Sequence, residues 1–262
     1  MKRRISIIIP ALNEATHLPR VLAAAARGPL SYGRGSDEIS AHPSRDREGA
    51  AGGDGVEIIV VDGGSSDETA STARAGGARV LLSPAGRAVQ MNAGAREAEG
   101  DILVFLHADT VLPATFARHV HLLLDTPGVV AGAFRFQLDS ASASLRVIET
   151  VANWRSRWLQ VPYGDQALFL HRDLFHELRG FREIPIMEDF DLIRRLRRWG
   201  RIAIAPVPAT TAARRWQNVG PWKTTLINQV ALAGFLLGVS PLRIANFYHN
   251  FYHKNGLDRT KS

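Results

Sequence analysis

Gly100-Asp101-Ile102-Leu103-Val104-Phe105-Leu106-His107-Ala108-Asp109-Thr110 is the stretch from which the fold can be read. Ile102 to Leu106 is an unbroken apolar run, as suits a strand covered on both faces of a parallel sheet. It stops at His107 and Asp109, two potential metal ligands one residue apart. Positions i and i+2 of an extended chain project to the same side, so both can meet one cation at the carboxyl end of the strand. Open α/β sheets bind ligands at that end, which points to a divalent cation held against a phosphorylated substrate.

Working outward, Ile5–Ile9 and Val56–Val61 are further β-branched runs, and 78–82 is a short third strand. Helices over 15–26, from Ser66 or Asp67 to about Ala75, and over 87–98 alternate with them. Strand-helix alternation implies a parallel sheet with right-handed crossovers. Beyond the opening strand, helices are expected at 115–124, 143–159, 172–178 and 190–199. Strands are expected at 129–138, within 163–170, and briefly at 202–206. Residues 31–55 are rich in Gly, Ser and charge without apolar period, and read as a disordered insertion. The expected division is a main domain over 1–222 and an apolar helical extension over 223–262.

The 262 residues carry a net charge of +7 and no cysteine. Disulfides, thiolate metal sites and cysteine nucleophiles are thereby excluded. The positive charge favours anionic partners such as nucleotide phosphates or acidic lipids. Nucleic acid is not expected, because no aromatic-basic platform accompanies the charge. The N-terminal apolar run is too short for a signal peptide and ends in Pro10 and Asn13, so the active region is expected in the cytoplasm.

Residues 224–242 contain no charge, with Lys223 and Arg243 on either side. An interfacial amphipathic helix, a helix packed on the domain and a membrane span are all open. The interfacial form would place the protein at the inner face of the cell membrane.

The chemistry-bearing residues cluster at strand ends. Asn13-Glu14 and Asp62 follow the first two strands, whose ends lie side by side in a parallel sheet. Asp62 either accepts hydrogen bonds from a base or ribose or forms the turn before Gly63-Gly64. No glycine-rich phosphate loop is present, so phosphate charge must be met by a cation and by side chains. Arg87, with Gln90 and Asn92 on the same helix, is a candidate diphosphate contact. Glu188-Asp189-Phe190-Asp191 places three carboxylates in four residues. Such crowding raises a carboxylate toward general-base range, while Asp189 as a helix N-cap is the structural alternative. Gly164-Asp165-Gln166 is a candidate for contacting acceptor or sugar hydroxyls.

Pro10-Ala11-Leu12-Asn13-Glu14, the run from Val61 to Thr69, His107-Ala108-Asp109 and Glu188-Asp189 together resemble family 2 glycosyltransferases of GT-A fold. The run from Arg87 to Ala95 and Tyr163-Gly164-Asp165-Gln166 resemble one bacterial branch, described as associated with radical-SAM and selenium-related genes. The resemblance implies a GT-A-like α/β domain with a mostly parallel central sheet. It implies inverting, metal-dependent transfer of a sugar from a nucleoside-diphosphate donor, most often a UDP-sugar, to a hydroxyl acceptor. By carry-over, Ala11, Glu14 and Asp62 hold the nucleoside, and Arg87 lies near the diphosphate. Pro10, Asn13, Asn92, His107 and Ala108 count with the donor contacts. Asp109 binds Mg²⁺ or Mn²⁺, and Asp189 is the base, with Glu188 beside it. His107 stands where the family has an Asp; a nitrogen ligand there would favour Mn²⁺. Of the polymerase signature only an Arg-Trp pair remains, in Arg215-Trp216, counted with the acceptor contacts; single addition is expected. A lipid acceptor is suggested by the apolar C-terminal run alone. A nucleotidyltransferase and a non-catalytic nucleotide-sugar-binding or membrane scaffold are the alternatives.

Overall fold

The computed structural model describes residues 3–27 and 55–254; apart from Gly55, the 31–55 insertion lies outside them. Strands β1 (Ile5–Ala11), β2 (Val56–Asp62), β3 (Arg79–Leu82) and β4 (Ile102–Phe105) form a parallel half-sheet in the order β3-β2-β1-β4. Between them run α1 (Leu18–Arg27), α2 (Thr69–Ala75) and α3 (Arg87–Glu97). The period of two along β4 explains its apolar run. Ile102 and Val104 join a core with α1 and with α4 (Phe116–Leu124), whereas Leu103 and Phe105 face a second core with α3. Both faces are covered, as the sequence implies.

The second half departs from the parallel pattern. β5 (Thr110–Val111), β6 (Val129–Leu138), β7 (Leu168–His171) and β8 (Arg201–Thr211) extend the sheet to eight strands, ordered β3-β2-β1-β4-β7-β6-β8-β5. β7 runs antiparallel to both β4 and β6, while β6 and β8 are parallel. Connecting them are α4, α5 (Ala143–Leu159), α6 (Arg172–Glu177) and α7 (Glu188–Leu196); α8 (Arg214–Val219), α9 (Pro221–Leu236) and α10 (Pro241–Lys254) follow the last strand.

Three boundaries differ from expectation for local reasons. β8 runs to Thr211 rather than ending near Pro206. Its pairing jumps from Ala133–Ile204 to Arg135–Pro208, and that irregularity absorbs prolines lacking an N–H. α1 starts at Leu18 rather than Ala15, because the Glu14 and Ala15 amides donate to Thr69 and Asp67 side chains instead. The apolar 224–242 run is not one helix: Gly238, at φ 81°, separates α9 from α10. Among the described residues no helix is long and apolar enough to cross a membrane, which sets the span aside.

Candidate active site

The carboxyl ends of β1, β2 and β4 lie together, with Ala11 paired to Asp62 and Ile8 to Phe105. The loops beyond them are stitched to one another. The Asn13 amide donates to Ser65 Oγ at 2.9 Å, and Asn13 Oδ1 accepts from the Ser66 amide at 2.9 Å. Asp62, almost fully buried, accepts from the Ser65 amide through Oδ1 at 3.0 Å. The turn-forming alternative for Asp62 is therefore present, drawing on one of its two oxygens. Pro10 and Ala11 sit within β1 rather than in a loop, and the Ala11 carbonyl accepts from Gly63 and from Gln90.

After β4 the chain does not stay extended. The Thr110 amide donates to the His107 carbonyl at 3.1 Å, closing a turn that voids the i, i+2 argument. His107 lines a cavity with Met91, Gly164, Glu188 and Asp189. Asp109 lines another, with His17, Arg20 and Asp139. His107 and Asp109 thus line different cavities, which adjoin at Asp165, and Ala108 between them is buried in the core.

The first cavity carries the most reactive arrangement. The Gly164 amide donates to Asp189 Oδ2 at 2.7 Å, and Asp189 Oδ1 accepts from the Phe190 amide at 2.7 Å. Asp189 lies in the first turn of α7, where the helix dipole favours an anion; the N-cap is Met187, so Asp189 is not a cap. The acidic trio is not crowded as the sequence suggests. Glu188 is held by Arg87 Nε at 2.6 Å, and Asp191 pairs with Arg182 and Arg195. Glu188 thus has its carboxylate buried against Arg87. The nearby carboxylates, Glu188 foremost, raise the Arg87 pKa, so it stays cationic at the N-terminus of α3.

Gly164 has a steric reason to be glycine. A Cβ there would lie 2.9 Å from His107 Nε2 and 3.1 Å from Asp189 Oδ2. Gly164→Ala is therefore expected to push the ends of both side chains aside by a few tenths of an ångström and to lower the rate of a reaction that uses them by about an order of magnitude. Steady-state kinetics beside a melting curve would separate this from unfolding.

Asp165 follows in the same 3₁₀ turn (Gly164–Gln166). Burial pushes its pKa up to about 6; Arg155 and Arg215 oppose the rise, while Asp189 and Asp109 add to it. A carboxyl raised above its unfolded value binds more protons in the folded state between about pH 4 and 6, so its contribution to stability declines as pH climbs through that window. Asp165→Asn should flatten that decline, as read from urea unfolding midpoints across the window.

Several expected contacts are occupied by the fold itself. The Asn92 side chain donates to the Phe181 carbonyl and accepts from the Phe181 amide, both at 2.9 Å, so it pins the 181 loop rather than facing a diphosphate. Gln90 donates to the Ala11 and Val61 carbonyls. Gln166, fully buried, accepts from Ser156 and Tyr163 and donates to the Phe134 carbonyl. It is a structural node and not an acceptor contact. Gln166→Leu strands those partners and should cost about 3 kcal/mol in chemical denaturation. Trp216 is likewise buried against Phe136. Arg215 instead donates to Tyr248 Oη at 3.0 Å.

Residues without a motif also reach the site. The Arg155 guanidinium lies 3.5 Å from the Tyr163 ring centroid, and Tyr248 of α10 is near enough to Arg87 to influence its charge. Arg214 pairs with Glu14 at 3.5 Å, joining α8 to the end of β1.

A divalent cation fits this site only in an open form. Among the described residues no cluster of three or more His, Asp or Glu side chains could enclose a metal. Asp109 is one half-buried carboxylate beside a cavity. Mg²⁺ and comparable ions are often bound by one or two carboxylates together with substrate phosphates, a set that this arrangement can supply.

The sheet and the loops gathered at the carboxyl ends of β1, β2 and β4 define an α/β domain with a polar strand-end site. Residues 6–183 match the model of glycosyl transferase family 2, and the chain belongs to that family. Among solved structures it is similar to a mannosyltransferase from Pyrobaculum calidifontis in complex with GDP-Man and Mn²⁺, at 21% identity and a TM-score of 0.58. That match covers 81% of this chain and 57% of the mannosyltransferase. It is also similar to glucosyl-3-phosphoglycerate synthase from Mycobacterium tuberculosis in complex with Mn²⁺, UDP and glucosyl-3-phosphoglycerate, at 23% identity and a TM-score of 0.54, over 80% of this chain and 70% of the synthase. No curated protein matches the chain.

Proposed function

We propose that the chain transfers a sugar from a nucleoside-diphosphate donor to an acceptor hydroxyl in a single inverting displacement. The observation that carries this reading is Asp189, its Oδ2 fixed by the Gly164 amide at 2.7 Å beside a cavity at the carboxyl edge of the sheet. In the step, the acceptor oxygen attacks the anomeric carbon as Asp189 takes its proton. The bond from that carbon to the diphosphate breaks, and its electron pair leaves with the diphosphate. Arg87, cationic and half-exposed, lies where it can meet phosphate charge. Asp62 and Glu14 border the nucleoside end. A Mn²⁺ or Mg²⁺ ion at Asp109 would supply Lewis-acid stabilisation of the departing diphosphate.

The solved relatives hold GDP-Man or UDP with Mn²⁺, which supports this donor class without choosing the base. A nucleotidyltransferase is disfavoured: the loop after β1, where a phosphate-binding loop would be wanted, is clasped by Ser65, Asp67 and Thr69 side chains. The test is hydrolysis of a panel of nucleotide-sugars by the purified chain with Mn²⁺. Initial release of a sugar of inverted anomeric configuration, read by NMR, is expected for one donor. Retained configuration would overturn the single displacement.

A further inference from the structure

Helix α9 carries large apolar side chains on two faces, yet only one of them is covered. Ile227 and Ala231 are buried, and Leu232 and Phe235 pack toward the second core. On the other face Trp222 and Leu226 remain 63% and 65% exposed. The adjoining α5, which packs against α9, leaves Trp154 and Trp158 bare at a spacing of one helical turn. Leu237, just after α9, and Leu242, in the first turn of α10, are exposed at 84% and 62%. Large apolar side chains so gathered on a helical pair and its connecting turn mark a surface that binds something.

The charge around this face says what. Over α9, α10 and the turn between them, residues 221–254, the sequence holds Lys223, Arg243 and Lys254 and no Asp or Glu. Arg157, Lys223 and Arg243 are exposed beside the apolar residues, and Arg157 stacks toward the Trp158 ring. A second copy of the chain is a poor occupant: a two-fold interface sets the same patch against itself and would bring these cations toward like charges. A bilayer bearing anionic headgroups accepts both features. Tryptophan rings settle at the headgroup level, aliphatic side chains enter the acyl boundary, and flanking cations meet phosphate.

We propose that the exposed faces of α5 and α9, with the turn into α10, dock the protein on an anionic membrane surface without crossing it. The docking requires neither donor nor acceptor, so it stands or falls separately from the catalytic proposal. The test is co-sedimentation of the full chain with vesicles of phosphatidylcholine alone and of an equal mixture with phosphatidylglycerol. Partitioning onto the anionic vesicles should be about a hundredfold stronger, as three surface cations imply. It should fall at least tenfold, by about that order, both for Trp158→Ser with Leu226→Ser and for Lys223→Glu with Arg243→Glu. These exposed positions should leave the melting temperature unchanged. Equal binding to both vesicle types, no binding to either, or variants that bind like the wild type would overturn the proposal. So would a solution dimer that Trp158→Ser with Leu226→Ser converts to monomer, since that would give the face to a second copy.

Discussion

Asp189→Asn is expected to lower kcat about a thousandfold while leaving donor binding nearly intact. The asparagine side chain has the same shape, and its oxygen can keep the bond from the Gly164 amide at 2.7 Å, while its NH2 turns to the Phe190 amide, which loses its acceptor. What it loses is the capacity to take a proton from the acceptor hydroxyl at the moment of attack. The loss should therefore appear in single-turnover rates and not in the donor concentration needed for half-saturation. Glu188→Gln should behave differently. Its carboxylate is committed to Arg87 at 2.6 Å, so that change weakens the hold on an arginine and should show in donor affinity.

Asp109→Ala should reduce kcat/KM by about three orders of magnitude, several kcal/mol of lost charge stabilisation at the leaving diphosphate. Among the described residues no protein cage of three or more ligands could hold the ion in its absence. Activity of the variant should no longer respond to added Mn²⁺, in contrast to wild type titrated after EDTA treatment. His107→Ala offers the comparison. His107 lines the cavity of Asp189 and Asp109 lines the other, so the His107 variant should keep its Mn²⁺ response. A His107 variant that lost the response along with Asp109→Ala would return both residues to a single ion.

The parallel half of the fold is legible because its signals are local. Ile102–Leu106, Ile5–Ile9 and Val56–Val61 are apolar runs whose neighbours must be covering helices, and β1 does pair in parallel with β2 and β4. The antiparallel insertion of β7 between β4 and β6 has no such mark, because Leu168–His171 is too short to carry a periodicity.

At the site, Asp189 and Asp109 stand out as acids at element ends. The fates of Asn92, Gln166 and Trp216 do not, because a polar or aromatic residue committed to a neighbour looks the same in sequence as one facing a ligand. Gln166 meets Phe134 and Ser156 only once β6 and α5 have packed. His107 and Asp109 part company through one hydrogen bond, from the Thr110 amide to the His107 carbonyl, which spacing alone does not reveal. Tyr248 and Arg155 reach the neighbourhood of Arg87 and Asp165 through tertiary packing of α10 and α5.

The most direct measurement is the melting temperature of the purified chain with a panel of nucleoside diphosphates, each with and without Mn²⁺. A ligand that binds only the folded state raises it, by about 2.7 kcal/mol of stabilisation at a hundred times the dissociation constant. A nucleoside-diphosphate site at the ends of β1, β2 and β4 predicts a rise with one diphosphate, larger when Mn²⁺ is present. No rise with any diphosphate, with or without the ion, would contradict it.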